Sequence, residues 1–294
     1  MVFRKLQLED ISAVKSALYS YAPNQANDYT ILGLFFWRDY LNVYVALESE
    51  GVYIYQYVDD RYLFYYPLCD NVEAGFKRII EYCTDNQLVY GFYPLTQDDL
   101  AYLDAAGVSY ELKQSEDFND YLYYVSDLAG FKGKKYHTQK NHLNRFDREY
   151  PVYSYERITD ANITGVREFF DRYLEAKAHE QLSATEIEEH SKIPELLSNI
   201  KEYNVFGFCL KINDIIQGFE LGEIVGDMYY SHIQKANRDF EGIYTKMVNL
   251  MSKELENSVV YVNREEDLGD LGLRASKKSY RPCGFIEKKM IFVN

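Results

Sequence analysis

The run from Asp227 to Phe285 decides the fold. It opens Asp227-Met228-Tyr229-Tyr230-Ser231-His232-Ile233-Gln234, an apolar and aromatic stretch that reads as a strand. Gly242 then leads Ile243-Tyr244-Thr245-Lys246-Met247-Val248-Asn249-Leu250, a helical pattern, and Val259-Val260-Tyr261-Val262-Asn263 is the next strand. A helix around Ala275 and the segment Tyr280-Arg281-Pro282-Cys283-Gly284-Phe285 complete the run. A helix that starts just beyond a strand end gathers free backbone N–H groups and the positive end of a dipole, a natural seat for pyrophosphate. A tyrosine after the following strand is placed to give a proton to a leaving group.

Working outward, the halves of the chain share one grammar. Phe3 to Leu8 and Val152 to Ile158 read as strands, each followed by a helix with an aspartate or asparagine near its start (Asp10; Asp160 and Asn162). Meanders follow: Val43 to Leu47, Gly51 to Val58 and Tyr62 to Pro67 in the first half, Phe206 to Ile212, Ile215 to Ile224 and Met228 to Gln234 in the second. Asn213-Asp214 and Gly226-Asp227 punctuate the second set as turns. The pattern predicts a diverged duplication of α/β (α+β) class, with domains at 1–120 and 151–294 and a linker helix over 121–150. That linker is basic in an acidic chain, and Tyr136, Leu143 and Phe146 recur along it at helical spacing.

With 294 residues each half can bury a core of its own. The formal charge of −14 argues against general polyanion binding, which lysine and arginine contacts build. Thirty tyrosines read first as strand and interface packing. Cys69, Cys83, Cys209 and Cys283 form no metal or disulfide spacing, and the acidic group Glu265, Glu266, Asp267 and Asp270 lacks a matching ligand set, so no metal is expected. The start of the chain has no signal-peptide core, and the apolar run Ile31 to Trp37 is too short to cross a bilayer. A cytoplasmic protein without membrane insertion is the expectation; the oligomeric state is left open.

Asp127-Leu128, Phe131, Gly133-Lys134-Lys135-Tyr136-His137 and Lys140-Asn141-His142, together with Asn263-Arg264-Glu265-Glu266-Asp267-Leu268-Gly269, resemble an uncharacterised bacterial family related to the C-terminal catalytic domain of phosphatidylglycerol lysyltransferase. The resemblance covers nearly the whole chain. It implies two tandem GNAT-like domains, each a mixed central sheet flanked by helices, as in the peptidoglycan-bridge aminoacyl transferases. The lysyltransferase moves an amino acid from aminoacyl-tRNA to a lipid. By the same resemblance, Gln234, Arg238, Gly242, Ile243 and Tyr244 fall in the pyrophosphate loop of the GNAT superfamily, with one glycine where the pattern has two and with Asp239 and Glu241 close by. Tyr280 with Gly284-Phe285 matches the superfamily tyrosine that lies near the cofactor sulfur.

Acyl transfer to an amine needs a polarised carbonyl, a neutral amine and a protonated leaving group. The backbone N–H of Ile233 is the candidate for the first and Tyr280 for the third. Glu220 and His232, on neighbouring strands, are the candidate bases; a solvent-facing glutamate and a hydrogen-bonded sheet histidine are the alternatives. Asn263 at a strand end can bind a pantetheine amide or cap the next turn. The reading that follows is acyl transfer from acyl-coenzyme A to a small-molecule amine by direct attack. Aminoacyl-tRNA, reaching the chain through the basic segment Lys132 to Arg145, is one alternative, and a non-catalytic module that kept the fold is the other. The loop between Pro67 and Val72 has no glycine, so the first half is expected to hold no ligand of its own.

Overall fold

Tyrosine- and valine-rich runs of the first half pair as strands. In the computed structural model, which describes residues 1–294, Arg4–Lys5 (β1), Val43–Glu48 (β2), Gly51–Val58 (β3), Arg61–Phe64 (β4), Leu68–Cys69 (β5), Tyr90–Leu95 (β6) and Tyr110–Gln114 (β7) alternate with helices Ile11–Tyr21 (α1), Ile31–Phe36 (α2), Val72–Asp85 (α3) and Leu100–Ala105 (α4). Asn71 starts α3 by accepting the Ala74 N–H at 3.0 Å. Phe76 of α3 then packs edge-on against Phe92, which meets Phe64. The strand expected over Phe3 to Leu8 shortens to two residues, and Asp10, at the N-cap position of α1, makes no side-chain hydrogen bond to that helix. Its carboxylate pairs with Arg4 and accepts the Gln7 N–H at 2.9 Å instead.

The second half adds Asp120–Tyr124 (β8), Tyr153–Arg157 (β9), Phe206–Ile212 (β10), Ile215–Val225 (β11), Met228–Ala236 (β12), Tyr261–Asn263 (β13) and Gly284–Ile286 (β14). Its helices are Val125–Gly130 (α5), His137–Glu149 (α6), Ile163–Lys177 (α7), Ala184–Ser198 (α8), Ile243–Leu255 (α9) and Leu271–Ser279 (α10), and Lys289–Val293 (β15) ends the chain. The turns at Asn213-Asp214 and Gly226 have positive φ, as two-residue hairpins between twisted strands require. One sheet runs β1-β2-β3-β4-β6-β15-β7 with β5 on β3, the other β14-β8-β13-β12-β11-β10-β9.

Two units result. The first takes Met1–Asp120, Glu266–Asp270 and Ile286–Asn294; the second takes Tyr121–Glu265 and Leu271–Phe285. The chain therefore crosses between units more often than boundaries at 120 and 150 provide for. The basic segment belongs to the second unit, and the final strand enters the first sheet between β6 and β7. Lys288 explains why that strand is held there. Buried in the first unit, it meets Asp28 and Asp120 at 2.9 Å, Glu266 at 3.0 Å and the Asn27 side-chain oxygen at 2.9 Å. A buried charge persists only when paired in this way.

In the second unit the sheet is covered on both faces. Phe169 and Phe170 of α7 pack on Phe219. Met247, Val248 and Met251 of α9 fill the other face. The parallel pairing of β12 with β13 ends at Tyr230 opposite Asn263, while β12 runs on to Ala236. A bulge sits just there, since Leu221 faces Ile233 but Gly222 faces Ser231, leaving His232 unmatched. The two strands thus part beyond Tyr230, with a bulge re-aiming the side chains at the fork.

Candidate functional site

Alternation along β11 sends Phe219 to the α7 face and Glu220 to the α9 face. Glu220 is fully buried, which removes the solvent-facing alternative. Tyr155 of β9 donates its hydroxyl to one carboxylate oxygen, and the Gln234 amide donates to the other at 2.9 Å. Burial pushes the Glu220 carboxyl up to about 7, against the opposing pull of those two hydrogen bonds and of Arg264. Near neutral pH it can therefore exchange a proton, as a general base must. Beside Tyr155 a cleft of about 270 Å³ opens between Phe206, Phe208, Ile224, Leu255 at the end of α9 and Ser258 beyond it.

Arg264 follows the last residue of β13, at the parting of the strands. Its guanidinium lies 4.9 Å from the Tyr280 ring centroid, and its Nη1 is buried without a hydrogen-bond partner. A guanidinium keeps its charge at any ordinary pH, so a buried unpaired nitrogen is a costly feature unless an oxygen or anion of a bound molecule meets it. Tyr280 is buried directly after α10, and its hydroxyl lies 3.0 Å from Thr245 Oγ1 in the first turn of α9. The structure thus brings Tyr280 to the helix start that the sequence pointed to.

His232 lies on the opposite face, with Tyr230 rather than Glu220. Glu265 meets its Nδ1 at 2.6 Å and Glu223 its Nε2 at 3.2 Å. Burial alone would lower its pKa, but the hydrogen bonds and charges of the two carboxylates outweigh it and hold the ring up to about 9. At neutral pH both nitrogens carry protons and both are engaged, so the ring has no lone pair for base work. It is a strut joining β11, the bulge and the turn that presents Arg264.

The backbone at the fork follows from register. Both polar groups of Ala236 point at the Tyr244 hydroxyl, 3.2 and 3.3 Å away, and the Asn237 N–H points the other way to Gln217. Alternation then turns the Ile233 N–H toward β11 and the Gln234 N–H toward the open edge. The N–H at the open edge is therefore that of Gln234, where the expectation named Ile233. Tyr244 closes the loop after β12, and Ile243 is core. Arg238 is exposed. Gly242 has φ of 83°, and a Cβ there would stand 2.8 Å from the His142 carbonyl of α6. Its missing side chain serves a close helix approach. Asn263 accepts the Glu265 N–H at 2.7 Å and so shapes the Arg264 turn. No grouping of three or more His, Cys, Asp or Glu side chains is arranged to hold a metal ion.

The family described as phosphatidylglycerol lysyltransferase, C-terminal, matches residues 20–291. The chain belongs to this family. No functionally curated protein matches it in sequence. A conserved protein of unknown function from Bacteroides thetaiotaomicron is 25% identical, with a TM-score of 0.88 and 99% of each chain covered. L-PGS from Bacillus licheniformis is 14% identical over 96% of this chain and 91% of that one, with a TM-score of 0.67. FemX is 13% identical over 100% and 98%, with a TM-score of 0.58. The fold is the mixed α/β one that these solved structures share, and the family indicates an acyl- or aminoacyltransferase.

Within this cluster, Arg264 and Tyr155 are the residues that sequence reasoning missed. Arg264 stood inside the Asn263 to Gly269 motif, and a cation directly after a strand end at the fork was the available signal. Tyr155 carried none, being one tyrosine among thirty.

Proposed function

We propose that the chain transfers an aminoacyl group from the ester of a charged tRNA to an amine. The buried, unpaired Arg264 nitrogen, on a guanidinium 4.9 Å from the Tyr280 ring centroid, is the observation that carries this reading. In it, Arg264 and the Gln234 N–H hold the ester carbonyl and the oxyanion that develops there. The amine nitrogen attacks, and Glu220 takes its proton. The C–O bond to the ribose breaks while Tyr280 gives the leaving oxygen a proton, with Thr245 bonded to the same phenol. No covalent enzyme intermediate is needed, because Glu220 and Tyr280 between them serve both proton transfers.

The donor preference rests on two features. Lys132, Lys134 and Lys140 of the α5–α6 segment are exposed and in no ion pair, a local positive face on an acidic protein. At the start of α9, Gly242 is met by α6, and Asp239 and Glu241 stand close by, a poor seat for pyrophosphate. Acyl-coenzyme A as donor is the second reading, favoured by the contact of Tyr280 with the first turn of α9.

Binding of charged tRNA, uncharged tRNA and coenzyme A to the full chain, across a range of salt, tests the choice. Tighter binding of charged than of uncharged tRNA, weakening steeply with salt, is expected. Coenzyme A binding that changes little with salt, with no tRNA binding, would move the assignment to the second reading.

A further inference from the structure

The first unit carries a cavity of its own, of about 630 Å³, within the size range of small-molecule sites. Phe64 and Phe92 face α3 through Phe76, so alternation turns Leu63 and Tyr93 to the other side of the sheet, where this cavity lies. Its walls are Leu63, Tyr93, Leu112, Phe118, Met290 and Phe292. Leu112 and Phe118 remain 43% and 38% exposed, so the apolar wall continues to the surface.

Two cations stand over that wall. The Arg61 guanidinium is 4.1 Å and the Lys113 ammonium 4.9 Å from the centroid of the Phe292 ring. Neither makes an ion pair, although acidic residues outnumber basic ones 46 to 32 in this chain. Two other charged groups line the space. Asp59 sits in the β3–β4 turn, and Lys288 is already neutralised by Asp28, Asp120 and Glu266. The free positive charge is therefore that of Arg61 and Lys113, held against an aromatic face where partial loss of water strengthens attraction to an anion.

We propose that this cavity binds a single-headed apolar anion, an aliphatic or aromatic body carrying one carboxylate. The body lies along Leu63, Tyr93 and Met290, and the carboxylate sits between Arg61 and Lys113. The proposal departs from the expectation, drawn from the glycine-free Pro67 to Val72 loop, that the first half holds no ligand, because the cavity lies on the sheet face opposite α3 and not at that loop. It does not depend on the transfer chemistry proposed for the second unit.

Calorimetric titration of the full chain with sodium decanoate, 1-decanol and sodium butyrate tests it. Decanoate is expected to bind one per chain, about tenfold or more tighter than decanol, with butyrate too short to bind. The double variant Arg61→Gln, Lys113→Gln should weaken decanoate about tenfold and leave decanol and the melting midpoint unchanged. Both positions lie at the rim, so the fold is expected to survive. Equal affinity for decanoate and decanol, an unaltered decanoate affinity in the double variant, or no binding of decanoate would each overturn the proposal.

Discussion

Replacing His232 with glutamine tests the electrostatics of the fork in a way that needs no substrate. The ring is buried, and its pKa rises from 6.5 to about 9, a difference of about 2.5 units. At 1.36 kcal/mol per unit this amounts to roughly 3 kcal/mol of folding free energy. Because the folded value lies above the unfolded one, that contribution is fully present below about pH 6.5 and is lost as pH rises through about 9. Urea unfolding at constant ionic strength over that window should show the natural protein losing about 3 kcal/mol more than His232→Gln. The variant should also be the less stable of the two at pH 6, since Glu223 and Glu265 would face each other without a cation. Glu220 titrates in both proteins, so it cancels in the comparison. Parallel stability curves above pH 6.5 would mean that the imidazole is neutral in the fold, and the argument against its acting as a base would fail.

Three further outcomes follow from the same geometry. Tyr280→Phe should lower turnover roughly a hundredfold while keeping donor affinity, measured under single-turnover conditions; loss of affinity with unchanged turnover would remove the phenol from the proton transfer. Glu220→Gln should abolish the limb of the pH–rate profile near 7, and a profile that keeps this limb would point to another base. Gly242→Ala should cost about 1 kcal/mol or more in denaturant unfolding, because φ is 83° and the added Cβ would press on the His142 carbonyl. An unchanged midpoint would show that α6 yields easily.

Much of the fold was legible because strand and helix leave local marks. Apolar and aromatic runs punctuated by turn residues found β10, β11 and β12, and Gly242 marked the start of α9. What escaped were partnerships between distant residues. Nothing near Lys289 to Val293 says that this strand enters the first sheet, since its neighbours β6 and β7 and the Lys288 partners Asp28, Asp120 and Glu266 are all distant in sequence. The expected choice between Glu220 and His232 turned on Glu265, 33 residues from the histidine. Ile233 and Gln234 were separable only through the bulge at His232, which reverses which N–H faces the open edge. Arg264 lay in full view, but its value depends on an unpaired buried nitrogen, a fact of packing rather than of pattern.

The most direct measurement is the fate of the ester bond in bulk charged tRNA, under single turnover, with hydroxylamine as a small surrogate amine. The natural protein should move the labelled amino acid onto the amine, and Glu220→Gln and Arg264→Gln should each slow this about a hundredfold while charged tRNA still binds. A label that stays on tRNA, or that transfers at the same rate in both variants, would contradict the account.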